Sequence, residues 1–170
     1  FGKTIHPLPD SYRRLEDGES FHIGDHAWRV VVGQGHSPEH ACLHCPDLRL
    51  LISGDQVLPR ITSNVSVFPM EPDSDPLGAW MTSLRRMRDK VPDDVLVLPA
   101  HNEPFYGLHE RLDALVAGHE RALGRLLERL QTPQRVMDVF DILFARPVFQ
   151  DPHLMSLATG ESLAHLNRLL

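Results

Sequence analysis

Cysteine is nearly missing from this 170-residue chain, which has only Cys42 and Cys45. Two cysteines three positions apart cannot make a disulfide framework, so a reducing cytoplasm is the expected compartment. Long apolar runs are missing as well. No stretch approaches the roughly 20 residues that a membrane-spanning helix needs, and residues 1–20 hold no apolar core of the signal-peptide kind. Positive charge is not in excess: 17 Lys and Arg face 23 Asp and Glu, a formal net charge of −6. With aromatics at 6%, this argues against a broad basic, stacking surface for nucleic acid. What the chain does have is histidine, eleven of them.

The length suits one sizeable core, or one domain with a small appendage. From about residue 20 to 100 the pattern is of short β-type runs: "AWRVVVG" (27–33), "HACLHC" (40–45), "LRLLISG" (48–54) and "VLVLPA" (95–100). The Pro46-Asp47 step suits a tight turn, so the second and third runs are expected to pair as a hairpin. Between Asp75 and Val91 the spacing becomes helical, with Leu77, Trp80, Leu84, Met87 and Val91 on one stripe. Asp75-Pro76 supplies an N-cap and a proline at N1. After His101 no further β-like run is visible. The segment from Leu108 reads as helix with a candidate break at Gly118. Thr132-Pro133 is expected to cap another, with Val136, Val139, Phe140, Leu143 and Phe144 on one face. "RPVFQDP" (146–152) marks the next break, and a last helix has Gly160 as its weak point. The expected fold class is α+β, with an α/β-patterned portion over residues 1–118 and a helical appendage over 119–170.

Three residues carry the chemistry, and all follow β-type runs. His36 comes after "VVVGQG", Asp55 after "LLISG" and His101 after "LVLPA". Loops gather at strand ends, and function is commonly built there. A glycine before His36 and before Asp55 permits a sharp turn and leaves space beside the side chain. Two imidazoles and a carboxylate suit Zn²⁺, with Fe or Mn²⁺ as alternatives, and such an ion can supply hydroxide at neutral pH. Each residue taken alone reads more simply as capping or satisfying a turn, and it is the three in equivalent positions that shift the balance.

"GHSPEH", "LISGDQVLP" and "VLPAHNEPF" together resemble three successive motifs of the metallo-β-lactamase superfamily. The resemblance implies the C-terminal half of an αββα sandwich. It also implies two divalent metal ions, with His36 on the first, Asp55 bridging both and His101 on the second. "SGDQVLPRITSN" and "TGESLAHLNRLL" are similar to the branch that carries a C-terminal winged-helix-like module. The implied activity is metal-dependent hydrolysis of a small ester, thioester or lactone by a metal-bound hydroxide, with Asp55 as the catalytic carboxylate.

One family motif has no counterpart. H-x-H-x-D-H is absent, and the nearest string, "FHIGDH" (21–26), has Phe21 and Ile23 where histidines are needed. It reads as the edge of the following strand. The expectation is that the chain is the C-terminal part of such an enzyme, weak in metal binding and inactive alone. Its expected partners are the missing N-terminal half of the fold and a small-molecule substrate. A homodimer through the exposed sheet face is the expected consequence of losing that half.

Other candidates weigh less. Cys42 and Cys45 would point to opposite faces of a strand, so a zinc knuckle or redox pair is not expected. His40 is a candidate outer neighbour of the site, and Arg60 and Asn64 are candidate substrate or outer contacts. His109, His119, His153 and His165 fall on helical stretches and read as surface or packing residues. Two alternatives to the small-molecule hydrolase stay open on sequence. One is a phosphodiesterase or ribonuclease of the same fold, and the other is a non-catalytic docking fragment.

Overall fold

The computed structural model describes residues 10–145 and 148–170. Five strands form one sheet in chain order: β1 (Ser20–Ile23), β2 (His26–Gly33), β3 (His40–Cys45), β4 (Leu50–Gly54) and β5 (Leu96–Pro99). The first four pair antiparallel, and β5 joins β4 in parallel. A parallel neighbour needs a crossover, supplied here by α1 (Pro76–Lys90). The expected hairpin at Pro46-Asp47 is present, closed by the Arg49 amide donating to the Pro46 carbonyl at 3.1 Å. The string 21–26 differs from expectation. It forms a strand and turn of its own, because Gly24 takes a positive φ of 58° and turns the chain back on β2.

The two faces of the sheet follow from strand register. Val31 lies opposite Cys42, His44 opposite Leu51, and Leu51 opposite Val97, so these share a face. That face is covered by α1, whose Leu77, Trp80, Leu84 and Met87 are all buried with it in the main core. Val91, just past the helix, completes the expected stripe. The opposite face carries Val30, Leu43 and Ile52 in one row and Trp28, Cys45, Leu50 and Leu96 in another. It is largely apolar, and while Trp28, Val30 and Cys45 are buried, Leu43, Leu50, Leu96 and Leu98 are only partly so and Ile52 is 37% exposed. An alternating strand would be polar there. Apolar residues on both faces are the pattern of a sheet covered on both sides.

Two helices pack over α1. One is α2 (Leu108–Arg129), which runs unbroken through Gly118, so the expected break there is absent and the expected junction at 118/119 lies within a continuous helix. The other is α4 (Pro152–Leu169), capped by Asp151, which accepts from the His153 and Leu154 amides. Thr132 caps nothing. A 3-10 turn starts instead at Val136 with Arg135 as its cap, and the short α3 (Phe140–Leu143) follows. Val136, Phe140, Phe144, Val148, Met155 and Ala158 make a small second core. The expected break at 146–152 begins on residues outside the described set. Among the described residues beyond Pro99 no strand forms, so the module there is helical, without the strands of a wing. No helix among the described residues is long and apolar enough to cross a membrane.

The end of α4 is tied to the start of α1. Asn167 donates to the Pro72 and Ser74 carbonyls at 2.8 and 2.9 Å, and Arg168 pairs with the N-cap carboxylate of Asp75 at 2.9 Å. Gly160, expected to weaken its helix, is instead the point of closest approach. A Cβ there would sit 2.7 Å from the Ser66 Cβ. Gly160→Ala is therefore expected to destabilise by about 1–3 kcal/mol through overpacking. Gly124→Ala, on the open side of α2 with nothing within 4 Å, should stabilise by about 0.5–1 kcal/mol. Urea-unfolding midpoints of the two variants would check the opposite signs.

Under α1, His119 Nδ1 and His165 Nε2 lie 3.0 Å apart, and Trp80 stands edge-on to the His119 ring. Burial, reinforced by His165, lowers the His119 pKa from its ordinary 6.5 to about 4. The folded state keeps this ring neutral, so its contribution is complete above pH 6.5 and is lost as pH falls through about 4. Glu161 works in the opposite sense. Burial raises its carboxyl from 4.5 to about 7, so its contribution is complete at low pH and is lost as pH rises through about 7. The two offset each other between pH 4.5 and 6.5. Glu161→Gln should expose the histidine effect, giving a steeper fall in urea midpoint from pH 6.5 to pH 4 than the native chain shows.

Candidate metal centre

Strand direction assembles the site. Because β2 and β4 are both antiparallel to β3, they run the same way, and β5 is parallel to β4. The C-terminal ends of all three therefore meet one edge of the sheet, where His36, Asp55 and His101 follow them. His40, at the start of β3, is at the same edge.

The turns before His36 and Asp55 each need their glycine. Gly35 has φ of 95°, and a Cβ on it would lie 2.4 Å from the Pro76 carbonyl and 2.4 Å from the Trp80 Cβ. The His36 loop thus rests directly on the start of α1. Gly54 has φ of 53°, and a Cβ there would meet His40 Nε2 at 2.4 Å. Any side chain at either position would carry the left-handed penalty and a clash together.

The carboxylate of Asp55 sits between two imidazoles. Its Oδ1 lies 3.3 Å from His101 Nε2 and its Oδ2 lies 3.9 Å from His36 Nε2. The His36 ring is oriented from behind, since Nδ1 donates to the Asn64 carbonyl at 2.8 Å. A carbonyl only accepts, so the proton belongs on Nδ1 and Nε2 keeps its lone pair toward Asp55. This is the arrangement that metal-binding histidines generally have. His101 is 64% exposed at its side chain and Asp55 32%, so the edge is open to solvent.

The donor set fits a zinc-type ion in kind, with two imidazole nitrogens and one carboxylate. In number it supplies less than two four-coordinate shells. Among the described residues no three His, Cys, Asp or Glu side chains converge as closely as a bound ion would draw them. His36, Asp55 and His101 are the donors that this edge brings within reach of one another.

The remaining candidates divide. His40 lies 6.1 Å from the His36 ring, centroid to centroid, and is held below its ordinary pKa by burial and by His36. It packs over Gly54 as a neighbour of the site. Arg60 turns to Glu103, with Nε donating to the carboxylate at 2.6 Å. Asn64 gives His36 its backbone carbonyl, while its side chain donates to Glu161 at 3.0 Å. The two cysteines lie on opposite faces of β3 as expected, both buried and free. Burial pushes the Cys42 thiol up to about 12, which is the state of an inert packing group.

Sequence reasoning missed the polar lock beneath the site. Gln56, fully buried, donates to the Ser83 hydroxyl at 2.9 Å and to the Gln34 carbonyl at 3.3 Å. Ser83 also accepts from the Gln34 amide at 3.2 Å. These bonds join the His36 loop, the Asp55 loop and α1. The signal available was Gln56 itself, a polar residue inside "SGDQVLP". Beside His36 lies a cleft of about 250 Å³, bounded by Gly35, Ser66, Phe68, Glu71 and Pro76.

Comparison with known proteins agrees with this architecture. The family described as "Metallo-beta-lactamase superfamily" matches residues 4–101, and "Metallo-beta-lactamase-like, C-terminal domain" matches residues 123–170. A beta-lactamase domain protein from Burkholderia ambifaria superimposes with a TM-score of 0.89 at 43% identity, covering 96% of this chain and 48% of that one. A metallo-beta-lactamase family protein from Thermus thermophilus gives a TM-score of 0.77 at 28% identity, covering 97% and 49%. Among curated proteins, an atrochrysone carboxyl ACP thioesterase of Aspergillus fumigatus is 29% identical over 117 residues, 69% of this chain and 25% of that protein. A hydroxyacylglutathione hydrolase of Rhizobium etli is 40% identical over 48 residues, 28% of this chain and 19% of that protein. The chain spans about half the length of those solved structures and a quarter or less of those two curated relatives. The strand order, the edge that gathers His36, Asp55 and His101, and the two family matches agree, and the chain belongs to the metallo-β-lactamase superfamily.

Proposed function

We propose that this chain forms the C-terminal part of a metal-dependent hydrolase that cleaves an ester or thioester bond in a small molecule. The observation that carries the reading is the Asp55 carboxylate set between His101 and His36, with the His36 lone pair turned toward it. The thioesterase and the hydroxyacylglutathione hydrolase among its relatives support the substrate class.

His36, Asp55 and His101 would hold the metal. A divalent ion at such a site polarises the scissile carbonyl and activates water at neutral pH. Asp55 supplies negative charge between the two imidazoles, while the Asn64 carbonyl keeps the His36 proton on Nδ1. The cleft beside His36, with Phe68 and Pro76 on its walls, gives the substrate an apolar rest next to the reacting edge.

The second ion and the rest of the ligand set are expected from a second layer packed on the open face of the sheet. The partly bare Leu43, Leu50, Ile52, Leu96 and Leu98 support that reading, since an apolar area of this kind is normally covered. A second copy of the chain would cover the same face. Sedimentation at rising concentration separates the two, because only self-association gives a dimer of the isolated chain.

Metal content after dialysis tests the site. The native chain is expected to retain zinc below one equivalent, and a His36→Ala, Asp55→Ala double variant none. Equal metal in both would overturn the assignment. In the complete protein, Asp55→Ala should lower kcat/KM on a thioester by more than about 100-fold. An unchanged value would remove Asp55 from the chemistry.

A further inference from the structure

The coil between Asp55 and α1 has no ladder of hydrogen bonds to hold it, yet it delivers the carbonyl that orients His36. Ser63, Val65, Ser66 and Val67 of this coil are all buried, so its backbone must be fixed by something other than solvent. Its first part is held by Arg111 of α2, which donates to the Leu58 and Ile61 carbonyls at 2.7 and 2.8 Å, and the part around Asn64 is held by α4. The Val67 amide donates to the Gly160 carbonyl at 3.0 Å, and Asn64 Nδ2 donates to Glu161 Oε2 at 3.0 Å. The other end of the Asn64 amide accepts from the Ser66 hydroxyl at 2.7 Å. Both polar ends of Asn64 are thus occupied, leaving its backbone carbonyl aimed at His36 Nδ1.

We propose that Glu161, on α4, is a positioning residue for His36 and acts on it through Asn64. The Glu161 carboxyl oxygen fixes the Asn64 side chain, the side chain fixes the peptide, and the peptide carbonyl fixes the imidazole tautomer and ring plane. A helix 97 positions further along the chain therefore helps to build a ligand carried between β2 and β3. The inference rests on the reading of His36 as a ligand, but its first link can be measured without any metal.

The test compares the native 170-residue chain with Glu161→Gln and Glu161→Ala. Long-range nitrogen–proton NMR of the His36 imidazole in metal-free protein reports its tautomer, and competition with a chelator reports zinc affinity. The native chain and Glu161→Gln, which keeps an acceptor for Asn64, should both show the proton on Nδ1, with zinc affinities within about twofold of each other. Glu161→Ala should show a mixture of tautomers and lose about 10- to 100-fold in zinc affinity. A folded Glu161→Ala with the native tautomer and native zinc affinity would overturn the proposal and leave Glu161 a packing residue. Should that variant fail to fold, Asn64→Ser cuts the same bond from the loop and is read in the same two ways. If the native chain binds no zinc, the ligand reading fails, while the tautomer comparison still decides the link to Glu161.

Discussion

The common direction of β2, β4 and β5 is the constraint on which the site depends. A side chain just past a strand can meet another only if the strands end at the same edge, and here two antiparallel steps and one parallel step ensure that they do. The parallel step is the demanding one, because it needs a helix long enough to bring the chain back. That helix, α1, also covers one face of the sheet and receives the His36 loop at Gly35. Topology, core and site geometry therefore share one element.

The energetic logic is uneven across the molecule. On the α1 face the apolar core is closed, and Trp80, Leu84, Leu51 and Val97 lose nearly all their solvent contact. On the opposite face the same strands present equally apolar residues with incomplete cover. A chain that ended its design at one layer would gain solubility from polar residues there. Leu43, Ile52 and Leu98 are the residues on this face that keep solvent contact, whereas Val30 beside them is fully buried.

Much of this was legible in the sequence where a single physical signal dominates. Asp75-Pro76 and the Leu77–Val91 stripe fixed α1, and Gly-His and Gly-Asp after apolar runs marked the site edge. The misses share a cause, which is that tertiary contacts overrode local propensity. Gly118 does not break α2 because Leu115, His119 and Ala122 bury the helix on either side of it. Gly160 reads as a weak point in one dimension and is a contact point in three. Strand β1 is short and mostly exposed, with Ile23 at 52%, so its alternation is too weak to be seen. The links from Asn64 to Glu161 and from Gln56 to Ser83 join residues far apart in sequence, and no spacing rule reports such pairs.

The appendage and the sheet edge are joined by those long-range links as well as by packing. Asn167 and Arg168 secure the end of α4 to the loop and cap before α1, while Glu161 and Gly160 hold the coil that orients His36. Local opening of α4 would release the Asn64 peptide before it disturbed the sheet, since no strand depends on α4 for its ladder. The order of the His36 ring at the sheet edge would then follow the stability of α4. In this reading the helical module is part of the site's framework and not a separate unit attached beside it.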